Sequence, residues 1–285
     1  STPIKNQTPL NGACPRLHTL LDMWQWKGEA DRTNAAATFL NRIFSGISKF
    51  AGKHLTTIIS GNQQGVGKTE LANCILLMAQ DSTNALLTER EVKKGDFERS
   101  LVPKIKNNAS SALLVDNVVG NGGTTMFDST NIVPMMTDKR MSSRLFHSQD
   151  ELDLVNNFQW LVTTNGAEFS KDLIERSILV EIQFQGDPIR RHVDVSPLEY
   201  VEKHLEELHA ELKGLYEHWV ERGKPIQPIN GRNKEFFTLI NSVLHCNGFD
   251  NFDANRQDLR ATDSDPESEL LAELFSIIKD GSPCR

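Results

Sequence analysis

A chain of 285 residues, 38% of them hydrophobic and 24% charged, has the composition of an ordinary globular protein and suffices for one large domain or two modest ones. Its longest apolar stretch lies within 71–79, far too short to span a bilayer, so no membrane partner is expected. A net charge of −7 argues against nucleic-acid binding over a broad outer surface; any such contact needs a small local patch, such as a few basic residues lining the pore of an assembled ring.

Residues 1–30 are rich in Pro, Asn, Thr and Gly and read as an N-terminal arm or linker, with Trp24 and Trp26 implying that its end packs on something. Apolar residues at helical spacing (Phe39, Leu40, Ile43, Phe44, Ile47, Phe50) predict a helix over 34–50. Strand candidates then alternate with helical stretches, at 57–60, 84–88, 111–115, 158–163 and 177–183. That alternation predicts an α/β fold, a parallel sheet flanked by helices, with its site at the carboxyl ends of the strands. Strand signals stop after Pro197, and helices are predicted over 198–222, 234–246 and 267–278. The resulting division is an arm over 1–30, a core over 31–195 and a C-terminal helical subdomain over 196–285.

The first strand runs into Gly61-Asn62-Gln63-Gln64-Gly65-Val66-Gly67-Lys68-Thr69-Glu70. An apolar strand, a glycine-rich turn, Gly-Lys-Thr and a helix make the layout of a nucleotide phosphate-binding loop. Backbone N–H groups of such a turn converge on phosphate oxygens, and glycines permit the close approach. Lys68 would reach the β/γ-phosphates of ATP, and the Thr69 hydroxyl would ligate Mg²⁺. The spacing departs from the usual pattern, because Asn62 stands where the first Gly belongs and Gly61 is one place early.

Three later segments complete the reading. Strand 111–115 ends in Asp116, at the Walker B position, where it would hold Mg²⁺ through water. Asn117 follows where Glu is usual; it can position a water but cannot accept its proton. Strand 158–163 leads to Asn165, the sensor-1 position between the two Walker elements; the alternative is a turn-forming Asn-Gly. Arg176, just before the last core strand, suits an arginine finger that enters a neighbouring subunit's site; the alternative is a solvated surface arginine. Cys14, Cys74, Cys246 and Cys284 form no C-x-x-C pair, and no secretory signal opens the chain, which predicts a reducing cytoplasm. His204 and His209 are five apart, not the four that aligns two ligands on a helix.

These motifs in this order resemble an AAA+-type ATPase, specifically the ATPase domain of phage, prophage and mobile-element primase–helicases, related to superfamily-three and minichromosome-maintenance-like helicases. The resemblance covers residues 31–285. It rests on Asp116-Asn117, Thr164-Asn165-Gly166, Lys171-Asp172-Leu173-Ile174-Glu175-Arg176, Trp219 with Gly223-Lys224-Pro225, and Gly248-Phe249 with Phe252 and Asn255. It implies a phosphate-loop AAA+-type fold and Mg-ATP hydrolysis between subunits of a homo-oligomeric, hexameric ring. Single-stranded DNA would pass through the pore, with primase or other replication proteins as partners, in a bacterial or phage-infected cytoplasm. Lys68, Thr69, Asp116, Asn117 and Asn165 would serve in cis and Arg176 in trans.

The chain also departs from the family. Glu175 replaces the first of two arginines, and His204 stands where relatives tend to carry a helix-borne Arg, for which Arg190 or Arg191 would substitute. Residues 142–157 fall where such helicases carry a pore hairpin. Its tip, His147-Ser148-Gln149-Asp150, lacks a strong cation, so Lys139, Arg140 and Arg144 are the better DNA candidates, beside the alternative of a solvated basic face. Two rival functions stay open: an ATP-gated switch or helicase loader working on a protein partner, and a phosphate-loop kinase for a small molecule.

Overall fold

Apolar runs that end in polar residues become the strands of one parallel sheet. The computed structural model describes residues 12–45, 55–79, 87–88, 112–119, 136, 138, 140–144, 151–156, 158–165, 169, 171–188, 195–230 and 233–256. In chain order the elements are α1 (Pro15–Leu21), α2 (Glu29–Ser45), β1 (Thr56–Gly61), α3 (Lys68–Met78), β2 (Leu87–Thr88) and β3 (Ala112–Val119). There follow β4 (Arg140–Arg144), β5 (Glu151–Val155), β6 (Gln159–Asn165), α4 (Lys171–Ile174), β7 (Ser177–Ile182), α5 (Pro197–Glu221) and α6 (Lys234–Cys246). The strand order β2-β3-β6-β1-β7, with every pairing parallel, gives the expected α/β sheet. Central β1 and β6 are buried on both faces, so neither alternates; Ile58-Ile59 and Trp160-Leu161-Val162 are flanked by threonines that are buried as well.

Register sets the site. Val115 of β3 lies opposite Val162 of β6, but the next paired residue is Val118, opposite Thr164. Three steps on β3 therefore match two on β6, which makes a β-bulge at Asp116-Asn117. Asn117 takes φ 58, the left-handed region that Asn tolerates better than most residues.

Residues 12–28, which composition places in an arm, fold into the body. Leu17, Leu20 and Leu21 of α1 are fully buried. Glu211 of α5 accepts from the Arg16 and Leu17 N–H groups at 3.0 and 2.8 Å, satisfying two donors at the start of α1. The chain then runs antiparallel to edge strand β7. Lys27 N–H donates to Glu181 O (3.0 Å), Gln183 N–H donates to Gln25 O (2.8 Å), and Trp26 bridges to Ile182. This covers an otherwise open sheet edge. Trp24 and Trp26 signalled that the segment packs, but not on what, because the pairing partner lies some 150 residues away.

Among the described residues one apolar cluster joins the sheet to α1, α2, α3, α5 and α6. Helix α5 starts with a capping box: Ser196 Oγ accepts from Glu199 N–H (3.1 Å), and Glu199 accepts from Ser196 N–H (3.3 Å). Its buried stripe, Val201, Leu208, Leu212, Leu215 and Trp219, follows helical spacing. Strands β4 and β5 form a separate antiparallel pair over 140–155, with Arg144 opposite Glu151 in register. The predicted helix over 267–278 lies outside the described residues. No helix among the described residues is long and apolar enough to cross a membrane.

Candidate functional site

The carboxyl ends of β1, β3 and β6 open into a cavity of about 420 Å³. From the loop after β1 it is lined by Gln64, Gly65, Gly67, Lys68, Thr69 and Glu70. Across from them stand Asp116 and Asn117 of β3 and Thr163 and Asn165 of β6. Side chains two apart on β6 share a face by ordinary alternation. Adjacent Asp116 and Asn117 both reach the cavity because of the bulge.

Two glycines of the loop are required sterically. A Cβ on Gly61 would sit 2.7 Å from Val66 Cγ2 and 3.1 Å from Ile182 O, so the early glycine is the one that lets the loop fold back on the sheet. Gly67 has φ 98, and a Cβ there would meet Trp24 Nε1 at 2.9 Å. It also opens α3 without a side-chain cap, so no such group blocks the first-turn N–H donors from an anion.

Asn62, the departure from the usual spacing, has a structural task. Its Nδ2 donates to Phe184 O (2.9 Å) and its Oδ1 accepts from Phe184 N–H (3.1 Å). Gln63 Nε2 donates to Phe184 O and Gly186 O, both at 3.0 Å. These two side chains fasten the loop to the segment after β7. Gly61, Asn62, Gln63 and Val66 therefore support the loop and do not line the cavity.

Lys68, only 6% exposed, donates from Nζ to Gln63 O at 2.9 Å. Burial pushes its ammonium below the ordinary lysine range, partly opposed by Asp116. Asp116 Oδ1 accepts from Thr69 Oγ1 at 2.8 Å and Thr163 Oγ1 at 2.6 Å. Among the described residues its second oxygen receives no hydrogen bond. Thr163 Oγ1 in turn accepts from Asn117 N–H at 2.7 Å, and Asn165 Nδ2 donates to Asn117 Oδ1 at 2.5 Å. A hydroxyl and a carboxylate already in contact, with one carboxylate oxygen left over, suit a hard divalent cation that keeps most of its water. Among the described residues no cluster of three or more His, Cys, Asp or Glu offers a rival metal site.

No protein-family model matches the chain, and no curated protein matches it. Solved structures of the NrS-1 C-terminal region are similar to it. An A-form apo structure of that region is 15% identical with a TM-score of 0.48, covering 74% of this chain and 48% of that one. A second apo structure is 16% identical with a TM-score of 0.48, covering 75% and 49%. A third is 14% identical with a TM-score of 0.42, covering 74% and 47%. The chain thus spans about half the length of those structures.

Arg176 stands apart from this cavity. It precedes β7 at the amino end of the sheet, and the six residues of that strand separate it from the loop by roughly 20 Å at about 3.3 Å per residue. Its guanidinium lies on Asp172, with Nη2 to Oδ1 at 3.3 Å and Nε to Oδ2 at 3.2 Å. His204, at a kink in α5, is engaged by Glu207 and packs against Tyr200 at 4.6 Å. Arg140 and Arg144 belong to β4, whereas Lys139, His147, Arg190 and Arg191 lie outside the described residues.

Sequence reasoning missed Thr163. A threonine two residues before Asn165, on the strand that pairs with the Asp116 strand, was the available signal: parallel register places it beside the acid.

Proposed function

We propose that this chain is the motor domain of a ring-forming ATPase of the AAA+ type that hydrolyses Mg-ATP and acts on DNA in replication of a phage or mobile element. The observation that carries this reading is the convergence of Lys68, Thr69, Asp116, Asn117 and Asn165 on one cavity at the carboxyl ends of three parallel strands. Strand β6 lies between the two Walker strands, which gives Asn165 its position.

In this reading the loop N–H groups and the α3 amino end hold the phosphates, and Lys68 exchanges the Gln63 carbonyl for phosphate oxygen. Thr69, and Asp116 through water, would hold Mg²⁺, which would supply charge neutralisation for the phosphates. Asn117 and Asn165 orient the attacking water through their paired amides. Neither takes its proton, so Asn117 positions and does not act as a base. Arg176, too far to serve its own cavity, completes a neighbour's site. The β4–β5 pair, with Arg140 and Arg144, is the candidate pore element.

The test is hydrolysis and strand separation on forked DNA, with and without ATP. DNA-stimulated turnover with unwinding is expected. A second reading, the ATP-gated switch or loader, is favoured by Asn117 in place of a carboxylate. It predicts tight ATP binding, negligible turnover and assembly dependent on a partner.

A further inference from the structure

The turn that carries Arg176 is held from a distant part of the chain. Residues 253–256 dock on β7 and the turn before it through the side chains of Asn255 and Arg256. Asn255 Nδ2 donates to Leu179 O (3.1 Å) and Asp31 Oδ1 (2.8 Å), and Asn255 Oδ1 accepts from Asn34 Nδ2 (2.9 Å). Asp253 N–H donates to Asn34 Oδ1 (2.8 Å). Beyond them Arg256 reaches the start of the strand. Its Nη1 donates to Glu175 O at 2.5 Å, its Nε donates to Asp253 Oδ1 at 2.7 Å, and its Nη2 shares the same carboxylate oxygen. The guanidinium carbon sits 4.1 Å from the centre of the Phe237 ring, and the residue is 2% exposed.

The acceptor matters. Glu175 O belongs to the peptide unit that joins Glu175 to Arg176, and that unit is planar. Fixing its oxygen fixes the direction in which the chain enters Arg176. A guanidinium presents several N–H donors in a rigid fork, so it holds Asp253 and Glu175 O at once and sets one against the other. An ammonium on a flexible stem does not impose that geometry. A buried charge is costly unless paired, and nothing about closing the C-terminal segment on an apolar core calls for an arginine here.

We propose that Arg256 is a positioning residue for Arg176: through the Glu175 carbonyl it couples the 250–256 segment to the arginine that completes a neighbouring subunit's nucleotide site. This rests on the reading of Arg176 as a finger. Arg256 touches no nucleotide itself, so its loss spares nucleotide binding by its own subunit and impairs the hydrolysis that depends on Arg176.

The experiment compares Arg176→Ala, Arg256→Gln and Arg256→Lys in the full chain. Arg256→Lys keeps the charge beside Asp253 and the Phe237 contact, which guards against a variant that simply unfolds. Mg-ATP affinity and KM within about twofold of the wild type are expected for all three. The kcat should fall at least tenfold in both Arg256 variants, as in Arg176→Ala. Subunits of Arg256→Gln mixed with Lys68→Ala subunits, whose Arg176 and Arg256 are intact, should regain turnover; mixed with Arg176→Ala they should not. Wild-type kcat in either Arg256 variant overturns the proposal. So does loss of ATP binding together with turnover in both, which marks a folding role, or rescue by Arg176→Ala. Wild-type turnover in Arg176→Ala alone instead removes the finger assignment, and is read separately from the Arg256 result.

Discussion

Replacing Asn117 by Glu restores the carboxylate that general ATPase logic places after Asp116, yet the geometry here predicts a slower protein. Asn117 sits at φ 58 within the bulge. A residue that does not tolerate the left-handed region costs roughly 1–2 kcal/mol there, and Asn is among the few that visit it readily. The new carboxylate would also stand beside Asp116 in one cavity. At about 6 Å and an effective dielectric near 20, two like charges repel by about 3 kcal/mol, and less where the cavity is open to solvent. The Asn165 amide, now 2.5 Å from Asn117 Oδ1, would still find an acceptor, so little is lost there. The backbone cost falls on the stability of the fold, whereas the added negative charge at the phosphate site bears on turnover; at about 1–3 kcal/mol it lowers kcat/KM roughly 5- to 150-fold at 1.4 kcal/mol per decade. Steady-state hydrolysis of Mg-ATP, with affinity measured in parallel, reads the effect. Asn117→Asp isolates the charge, because Asp tolerates the same backbone, and Asn117→Gly isolates the lost amide. A clear rate gain in Asn117→Glu would refute the reasoning and show that the site lacks only a base.

Other outcomes follow from the same geometry. Thr163→Val removes a donor to Asp116 and leaves the Asn117 N–H unpaired, so stability should fall by about 1–3 kcal/mol in denaturant titration and turnover should drop, whereas Thr163→Ser should retain both. Reversing the charges of Lys139, Arg140 and Arg144 should weaken single-strand binding and flatten its salt dependence by about 0.7 in slope per lost phosphate contact; unchanged affinity and slope would make them a solvated face. Cys14, 3% exposed, has its thiol pushed up to about 12 by burial and by the nearby Glu211 carboxylate. It should therefore resist thiol reagents at pH 8 in the native protein and react once unfolded; rapid native labelling would contradict the packing of α1.

Local features were readable from sequence. The loop declares itself because strand, glycine turn and helix are contiguous. Helix α6 falls on the predicted 234–246, and α5 starts and ends within one residue of the predicted 198–222, because an amphipathic stripe and a proline-bearing start are local signals. What escaped depends on distant partners. Trp26 pairs with Ile182, Asn62 clasps Phe184, and Asn255 reaches both Asp31 and Leu179. Each is a polar or aromatic residue whose identity says only that it needs a partner. The bulge at Asp116-Asn117 was invisible for a related reason: an extra residue in a strand shows only against the strand beside it.

The central claim is that this cavity hydrolyses Mg-ATP. The most direct measurement is steady-state phosphate release by the wild type and by Lys68→Ala, with circular dichroism and thermal unfolding on the same samples. The account predicts Mg-dependent turnover in the wild type and none above background in a Lys68→Ala protein that is equally folded. Equal turnover in the two, with the fold intact, would contradict it.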